Sequence, residues 1–382
     1  MSEGKPKSRP PSIAPPAGNE DERWMDAALA HARNGHPSPN PHVGAVVVKN
    51  GELIAAAHHD RAGSDHAEVA ALKAAGARAK GATLYVTLEP CNHHGRTPPC
   101  TDAIVASKVA RVVVGCPDPN PHVEGGGAAK LVKTGLDVLV GVREPQARAM
   151  IAPWVKHVTL GLPYVSLKLA LSLDGRIATR TGASKWVTGP DARAKVHLLR
   201  ARNDACAIGI ATALADDPRL TVRDAPGDSP TRVVFDTNLR LPLTSRVVQT
   251  AHEIPTWVLC GPDATESAES ALVDAGVEVM RVPLSTLGRL DVVTSLRTLA
   301  QRNIVSLMVE GGAELAGSFL AGRIADELHA FVAPILLGPR GRAGAVDWAG
   351  PDTPQQAPRI ASPAWELVGT DAYVHGEILY PE

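Results

Sequence analysis

Two successive series of strand-like and helix-periodic segments, separated at Pro163, constrain this chain more than any other feature. In the first series Trp24, Ala28, Leu29 and Ala32 share one face of a helix ending near Gly35. Val43–Lys49 and Glu52–Ala57 then flank Asn50-Gly51, the dipeptide that best accepts the positive backbone angles of a tight hairpin. His66 to Ala75 reads as a helix, Ala82–Leu88 as a buried strand, Thr101–Ser107 as a helix and Arg111–Gly115 as a strand. The second series contains strands at Tyr164–Leu169, Ala205–Ile210, Arg232–Phe235, Thr256–Leu259 and Ile304–Val309. At the end, Glu327–Ala333, Glu366–Thr370 and Ala372–Leu379 have no long helix between them, so antiparallel pairing is expected there. Such alternation predicts the α/β class for both halves.

At 382 residues the chain exceeds the ~250–300 that one core usually supports, so two domains are expected, over 21–145 and 163–382. A linker helix is expected across 146–162, within a helical pattern running from Glu144 to about Leu160. Pro153 lies inside that pattern; because proline is tolerated in a first turn, the helix proper can start there instead. Residues 1–20 carry Pro6, Pro10, Pro11, Pro15 and Pro16 and almost no large apolar side chains, which predicts a disordered tail.

Charge narrows the partners. Lys and Arg total 39 against 40 Asp and Glu, and aromatics are 3%, so no global field or stacking surface gathers nucleic acid. Small-molecule chemistry is the expectation. No run approaches the ~20 apolar residues of a membrane span, and Met1–Asn19 lacks the apolar middle of a signal peptide. A cytoplasmic location and no membrane partner are therefore expected. Five cysteines are too few and too scattered for a disulfide framework, so any purposeful pair is expected to bind metal.

His66-Ala67-Glu68 opens a helix, Pro90-Cys91 follows a strand, and Cys100 comes nine positions after Cys91. One imidazole and two thiolates balance Zn²⁺ and fill three tetrahedral positions, leaving the fourth for a water that the metal acidifies. Glu68, two residues from His66, can carry a proton from that water to a leaving amine. This order and these residue types match the zinc-deaminase signature, although its usual two-residue cysteine spacing is replaced by a longer loop rich in donors, 92–99, suited to an anionic ligand. Two other readings share parts of this pattern. A deaminase of nucleic-acid bases would need a basic, stacking surface, and a zinc-stabilised binding module would have no use for Glu68.

The run from Thr87 to Cys100, with Pro39-Asn40-Pro41-His42-Val43-Gly44 upstream, resembles the deaminase half of the bifunctional RibD family of riboflavin biosynthesis. The resemblance implies a cytidine-deaminase-like domain in which His66, Cys91 and Cys100 hold one Zn²⁺ per chain and Glu68 shuttles protons. The implied substrate is a diaminopyrimidinone bearing a ribosylamino 5′-phosphate, with Asn40, His59, His93 and Arg96 against its base and phosphate.

Residues of the second half are weaker signals alone. Leu167–Arg176 ends in an Asp174-Gly175 turn, the loop from Thr212 to Arg223 holds Asp216 and Asp217, and Glu310-Gly311-Gly312-Ala313 links a strand to a helix where a phosphate could approach backbone N–H groups. With Gly182-Ala183-Ser184-Lys185-Trp186 they resemble, over about 163–380, the reductase half of the same family, whose fold is similar to dihydrofolate reductase. The resemblance implies NADPH-dependent reduction of the ribosyl group to ribityl. Implied NADPH contacts are Ala170, Trp186, Thr212, Asp216, Thr237 and the segment Gly312, Ala313, Glu314, Leu315, Ala316, Gly317 and Ser318. Implied substrate contacts are Ser184, Arg200, Leu220, Arg223 and Glu310, the two arginines being suited to a 5′-phosphate by their bidentate forks. Lys168 and Asp216 are candidates for polarising the sugar or donating a proton, with Asp217 an open alternative to Asp216. Relatives imply a homo-oligomer formed through this half. Cys116, Cys206 and Cys260 are expected to be ordinary buried thiols.

Overall fold

A computed structural model describes residues 19–93, 98–120, 126–223, 225–338 and 344–381. The chain divides into two compact units, Met1–Val155 and Lys156–Glu382.

In the first unit the order is α1 (Asn19–Ala32), β1 (Gly44–Lys49), β2 (Glu52–His58), α2 (Ala67–Ala75), β3 (Thr83–Leu88), α3 (Cys100–Ser107), β4 (Arg111–Cys116), α4 (Gly127–Lys133) and β5 (Asp137–Val140). The sheet order is β2-β1-β3-β4-β5, antiparallel at β2-β1-β3 and parallel beyond. The hairpin turns on Asn50 and Gly51, with φ of 53° and 74°, the positive angles expected of that dipeptide. Residues 1–18 lie outside the described ones, but α1 starts inside the expected tail. Glu20, Asp21 and Glu22 fill its first turn, where carboxylates complement the positive end of the helix dipole. Asp21 also fastens the helix to the sheet: it accepts a bidentate pair from Arg111 on β4 at 2.7 and 3.0 Å, and Tyr85 on β3 donates to it at 2.9 Å.

Helix α5 (Glu144–Leu160) runs through Pro153 rather than starting there. Its φ suits a helix, and the hydrogen bond that proline forgoes is offset by burial of Ala147, Ile151 and Trp154.

The second unit holds β6 (Tyr164–Ser172), α6 (Pro190–Ala201), β7 (Ala205–Gly209), α7 (Ile210–Asp216), β8 (Thr231–Phe235), α8 (Arg246–Gln249), β9 (Thr256–Cys260), α9 (Glu266–Asp274), β10 (Glu278–Arg281), α10 (Val292–Ala300), β11 (Ser306–Glu310), α11 (Ala313–Ala321), β12 (Glu327–Ala333), β13 (Arg359–Val368) and β14 (Asp371–Leu379). Their sheet order is β10-β9-β8-β7-β11-β6-β12-β14-β13. Pairing is parallel from β10 to β12 and antiparallel at β12-β14-β13. The closing strands thus pair antiparallel as expected, while β12 also joins β6 in parallel. Central strands are buried on both faces: Val165, Leu167, Ala207, Val233 and Val309 pack with Phe319 on one side, and Cys206, Ile208, Val234 and Val258 on the other. That double burial is why these strands read as near-continuous apolar runs.

Strand β11 returns between β6 and β7, so the order of the strands switches there, and a crevice forms beyond their carboxyl ends, where open α/β sheets place ligands. Among the described residues no helix is long and apolar enough to cross a membrane.

Candidate functional site

In the first unit, β2 ends at His58 and the chain turns through His59 and Asp65 to His66, the extended residue that caps α2. Cys91 follows β3 and Cys100 is the first residue of α3. Three chain segments therefore deliver the three donors to one point. His66 Nδ1 lies 3.1 Å from Cys100 Sγ and 3.6 Å from Cys91 Sγ, and the two sulfurs are 3.2 Å apart. Tetrahedral ligands of zinc stand ~3.5–3.8 Å apart, given bonds of ~2.0–2.3 Å, so a small outward movement would seat the ion. Its chemistry fits as well: the backbone N–H of Cys100 donates to Cys91 Sγ at 3.3 Å, and the Cys100 thiol followed by the His66 ring hold Cys91 well below the usual thiol range. Glu68, on the first turn of α2, is buried, and burial raises its carboxyl above the ordinary value. The described donor set holds three protein ligands and no fourth.

Asn40 and His59 stand beside this point. His59 is buried, and its ring meets that of His66 edge-on at 5.2 Å. Its Nδ1 lies 3.0 Å from the carbonyl of Asp65, so that nitrogen carries the proton and donates it. Nε2 is then left to accept from Asn40 Nδ2 at 3.0 Å, and burial keeps the ring neutral. The amide of Asn40 is thereby oriented, and its oxygen has no hydrogen-bond partner among the described residues. His93 is exposed, two residues beyond Cys91; Arg96 and the centre of the loop expected to hold an anion lie outside the described residues. Glu89 carries no role in the sequence reading, although it belongs to the quoted motif. Its carboxylate accepts from the N–H groups of Asp118 at 3.2 Å and Ala128 at 2.9 Å, bracing the segment before Cys91.

In the second unit a cleft of about 1370 Å³ opens at the carboxyl ends of β6, β7 and β11. It gathers Lys168, Ala170, Ser184, Trp186, Arg200, Thr212, Asp216, Leu220, Arg223, Thr237 and Glu310, together with Gly312, Ala313, Glu314, Leu315 and Ser318. Two expected contacts are missing from its lining. Ala316 packs against Leu169 and Ala330, and Gly317 turns towards Asp347, whose carbonyl oxygen would stand 2.0 Å from a Cβ there. Both point into packing because one turn of helix can show only one face to a ligand.

Gly311 and Gly312 have φ of 72° and 84°, and a Cβ on Gly312 would come 3.2 Å from Thr212 Oγ1. Any other residue would be strained at these angles, and one at Gly312 would press on Thr212, so the glycines keep open a cradle at the amino end of α11 suited to the phosphates of a dinucleotide. Lys168 is paired in register with Glu310, and burial lowers its ammonium pKa while the Glu310 charge opposes the fall. Glu310 in turn takes the Nε and Nη2 atoms of Arg200, the latter at 2.8 Å, and the Cys206 thiol donates to it at 3.2 Å. Although burial opposes ionisation, Arg200 brings the Glu310 pKa down to about 2. Arg200 Nη1 donates to the Thr221 carbonyl at 3.0 Å. This alters the expectation of paired arginine forks on phosphate: the fork of Arg200 already grips a buried carboxylate, whereas Arg223 is exposed at the cleft. Cys206, expected to be an ordinary buried thiol, is buried but belongs to this network.

The two adjacent aspartates differ. Both line the cleft, where Asp216 accepts from Ser184 Oγ at 2.5 Å, while Asp217, at φ 40°, caps α7 and accepts from the Arg246 N–H at 2.8 Å. Trp186 lines the cleft 68% exposed, with the Arg193 guanidinium 4.6 Å over its ring. Arg193 and His197 also line the cleft and had no recognisable sequence signal, since lone cations on an amphipathic helix usually face solvent.

Comparison with known proteins gives the same division. Residues 18–116 match the cytidine and deoxycytidylate deaminase zinc-binding region, and residues 163–376 match the RibD C-terminal domain. The riboflavin biosynthesis protein RibD of Escherichia coli is 42% identical over 371 residues, covering 93% of this chain and 99% of its own length; that of Aquifex aeolicus is 44% identical over 321 residues, covering 83% and 88%. A solved Acinetobacter baumannii RibD superposes with a TM-score of 0.81 at 38% identity, and a Thermotoga maritima deaminase/reductase with 0.82 at 35%, each covering 94% of this chain and 99% of its own. With three metal donors beside a buried glutamate in one unit and a ligand cleft in the other, the chain belongs to the RibD family of bifunctional deaminase–reductases in riboflavin biosynthesis.

Proposed function

We propose that residues 21–145 deaminate 2,5-diamino-6-ribosylamino-4(3H)-pyrimidinone 5′-phosphate by hydrolysis, and that residues 163–382 then reduce the ribosyl group of the product to ribityl with NADPH. The observation that carries the first step is the meeting of His66, Cys91 and Cys100 beside buried Glu68. Zinc, when bound by those three, supplies the positive charge that favours ionisation of water near neutral pH. Glu68 takes a proton from the attacking water and returns it to the departing amine. Asn40, held by His59, presents its amide oxygen to the base. His93 and Arg96 are assigned to the base and phosphate by family likeness.

In the cleft, NADPH supplies hydride to the sugar carbon when bound along Ala170, Trp186, Thr212, Thr237 and the amino end of α11. Lys168 polarises the sugar oxygen or gives it a proton. Asp216 orients Ser184 against the substrate, a role its 2.5 Å contact supports over Asp217. Arg223 meets the 5′-phosphate, and Glu310 positions Arg200 and Lys168 while Leu220 closes the wall. A cytoplasmic location and a homo-oligomer joined through the reductase unit complete the proposal. The latter is supported by Trp365 and Leu367, 69% and 77% exposed on the edge strand β13.

Ultraviolet absorbance of the purified chain with the diaminopyrimidine phosphate, followed by addition of NADPH, tests both steps. The expected record is a change in pyrimidine absorbance first, then loss of NADPH absorbance only after deamination. NADPH consumption without prior deamination would overturn the order, and silence at both steps would overturn the proposal.

A further inference from the structure

Apart from the zinc donors, one cluster among the described residues brings metal-binding groups together: Glu327 and His329 on β12 with His375 on β14. Neighbouring strands place it. His329 and His375 are directly paired across β12 and β14, and Glu327, two residues from His329, lies on the same face. Glu327 Oε2 is 3.4 Å from His329 Nε2, its Oε1 is 3.9 Å from His375 Nδ1, and all three donors lie within 4.8 Å of one another. The first is at most a long hydrogen bond or ion pair, and the second exceeds the ~2.7–3.2 Å of a hydrogen bond. They approach the ~3.4 Å between tetrahedral ligands bonded at ~2.0–2.1 Å to one ion.

Outer contacts organise the donors as they do around metals. Tyr373 Oη stands 2.6 Å from His329 Nδ1, so the tautomer that donates from Nδ1 to this phenol leaves the Nε2 lone pair aimed at the cluster. Ser166 donates to Glu327 Oε2 at 3.5 Å, a long contact from β6. The His329 ring lies face to face with its neighbours, 5.7 Å from His375 and 6.0 Å from Tyr373 between centroids. His375 is the more exposed histidine, with 35% of its side chain open, and can swing by the last ångström that closure requires.

We infer that Glu327, His329 and His375 form a second metal site, distinct from the deaminase zinc, which takes a divalent transition ion of the zinc, cobalt or nickel class. Two imidazoles and one carboxylate suit such ions and disfavour magnesium or calcium, which take oxygen ligands. An ion there ties β14 to β12 and so anchors the closing hairpin to the parallel sheet.

The test is elemental analysis of the full chain after saturation with zinc, and again with cobalt, followed by dialysis. Wild type is expected to keep two ions per chain, and His375→Asn and Glu327→Gln each one. In the cobalt forms of both variants the thiolate-to-metal absorption from Cys91 and Cys100 stays at full intensity, and deamination by the zinc forms is unchanged. His375 is open enough for its variant to fold even if Glu327→Gln does not. One ion per chain in wild type would overturn the inference. So would a second ion retained by both variants, which would mark adventitious surface binding.

Discussion

Replacing Glu310 by glutamine isolates the charge that holds the reductase cleft together. Glu310 is 7% exposed, and Arg200 brings its pKa from 4.5 to about 2 against the opposing effect of burial. That difference corresponds to roughly 3 kcal/mol favouring the ionised form in the folded protein, at about 1.4 kcal/mol per tenfold change. Glutamine keeps the shape but leaves the Arg200 guanidinium buried without its anion, a loss of about 3–5 kcal/mol when one partner of a buried pair is removed. The readout is hydrogen exchange in increasing urea, followed in peptides covering β6 and β11. Because the folded pKa lies below the unfolded one, the stabilisation is complete above the ordinary value of 4.5 and disappears as pH falls towards 2. The gap between wild type and variant is therefore expected to stay constant from pH 8 to about 5 and to narrow below about 4. Lys168 adds a kinetic sign: burial already lowers its pKa, and loss of the opposing Glu310 charge lowers it further, moving the alkaline limb of reductase activity to lower pH. Equal urea midpoints, or a gap undiminished at pH 3, would refute this reasoning.

Asp21→Asn is expected to destabilise the deaminase unit by about 1–2 kcal/mol, because Arg111 loses one partner but keeps Asp137 at 3.1 Å. Although burial opposes it, Arg111 and Tyr85 hold the Asp21 pKa below the ordinary value, so the difference should be complete above pH ~4 and vanish in more acid solution, as thermal melting at several pH values will read. Arg223→Ala is expected to raise KM for the phosphorylated reductase substrate about tenfold or more and to leave its dephosphorylated analogue nearly unaffected; equal losses in steady-state assays would remove the phosphate role.

Much of this was legible from residues whose signals are local. Asn50-Gly51 specified its hairpin because few dipeptides accept two positive φ angles, and the buried strands β7, β8 and β11 announced themselves as short apolar runs. The metal donors were readable because each follows or opens a regular element. Less legible were α4 and β5, and also β10, four residues long and only partly buried, which carry little periodicity. Strand β13 starts seven residues before the expected Glu366 because Pro363 sits in a bulge between Ala361 and Ala364, where the alternation slips. In the cleft, family likeness named the residues but not their pairing. That Arg200 grips Glu310 and Cys206 rather than presenting an open fork depends on strands distant in sequence, which no local pattern encodes.

The most direct measurement compares wild type with Glu68→Ala for zinc content, deamination, and NADPH oxidation on already deaminated substrate. Glu68 is expected to move a proton without holding the metal, so the variant should keep one zinc at His66, Cys91 and Cys100, lose deamination by at least about a hundredfold and reduce deaminated substrate at the wild-type rate. Loss of zinc, or deamination at an undiminished rate, would contradict that division of labour.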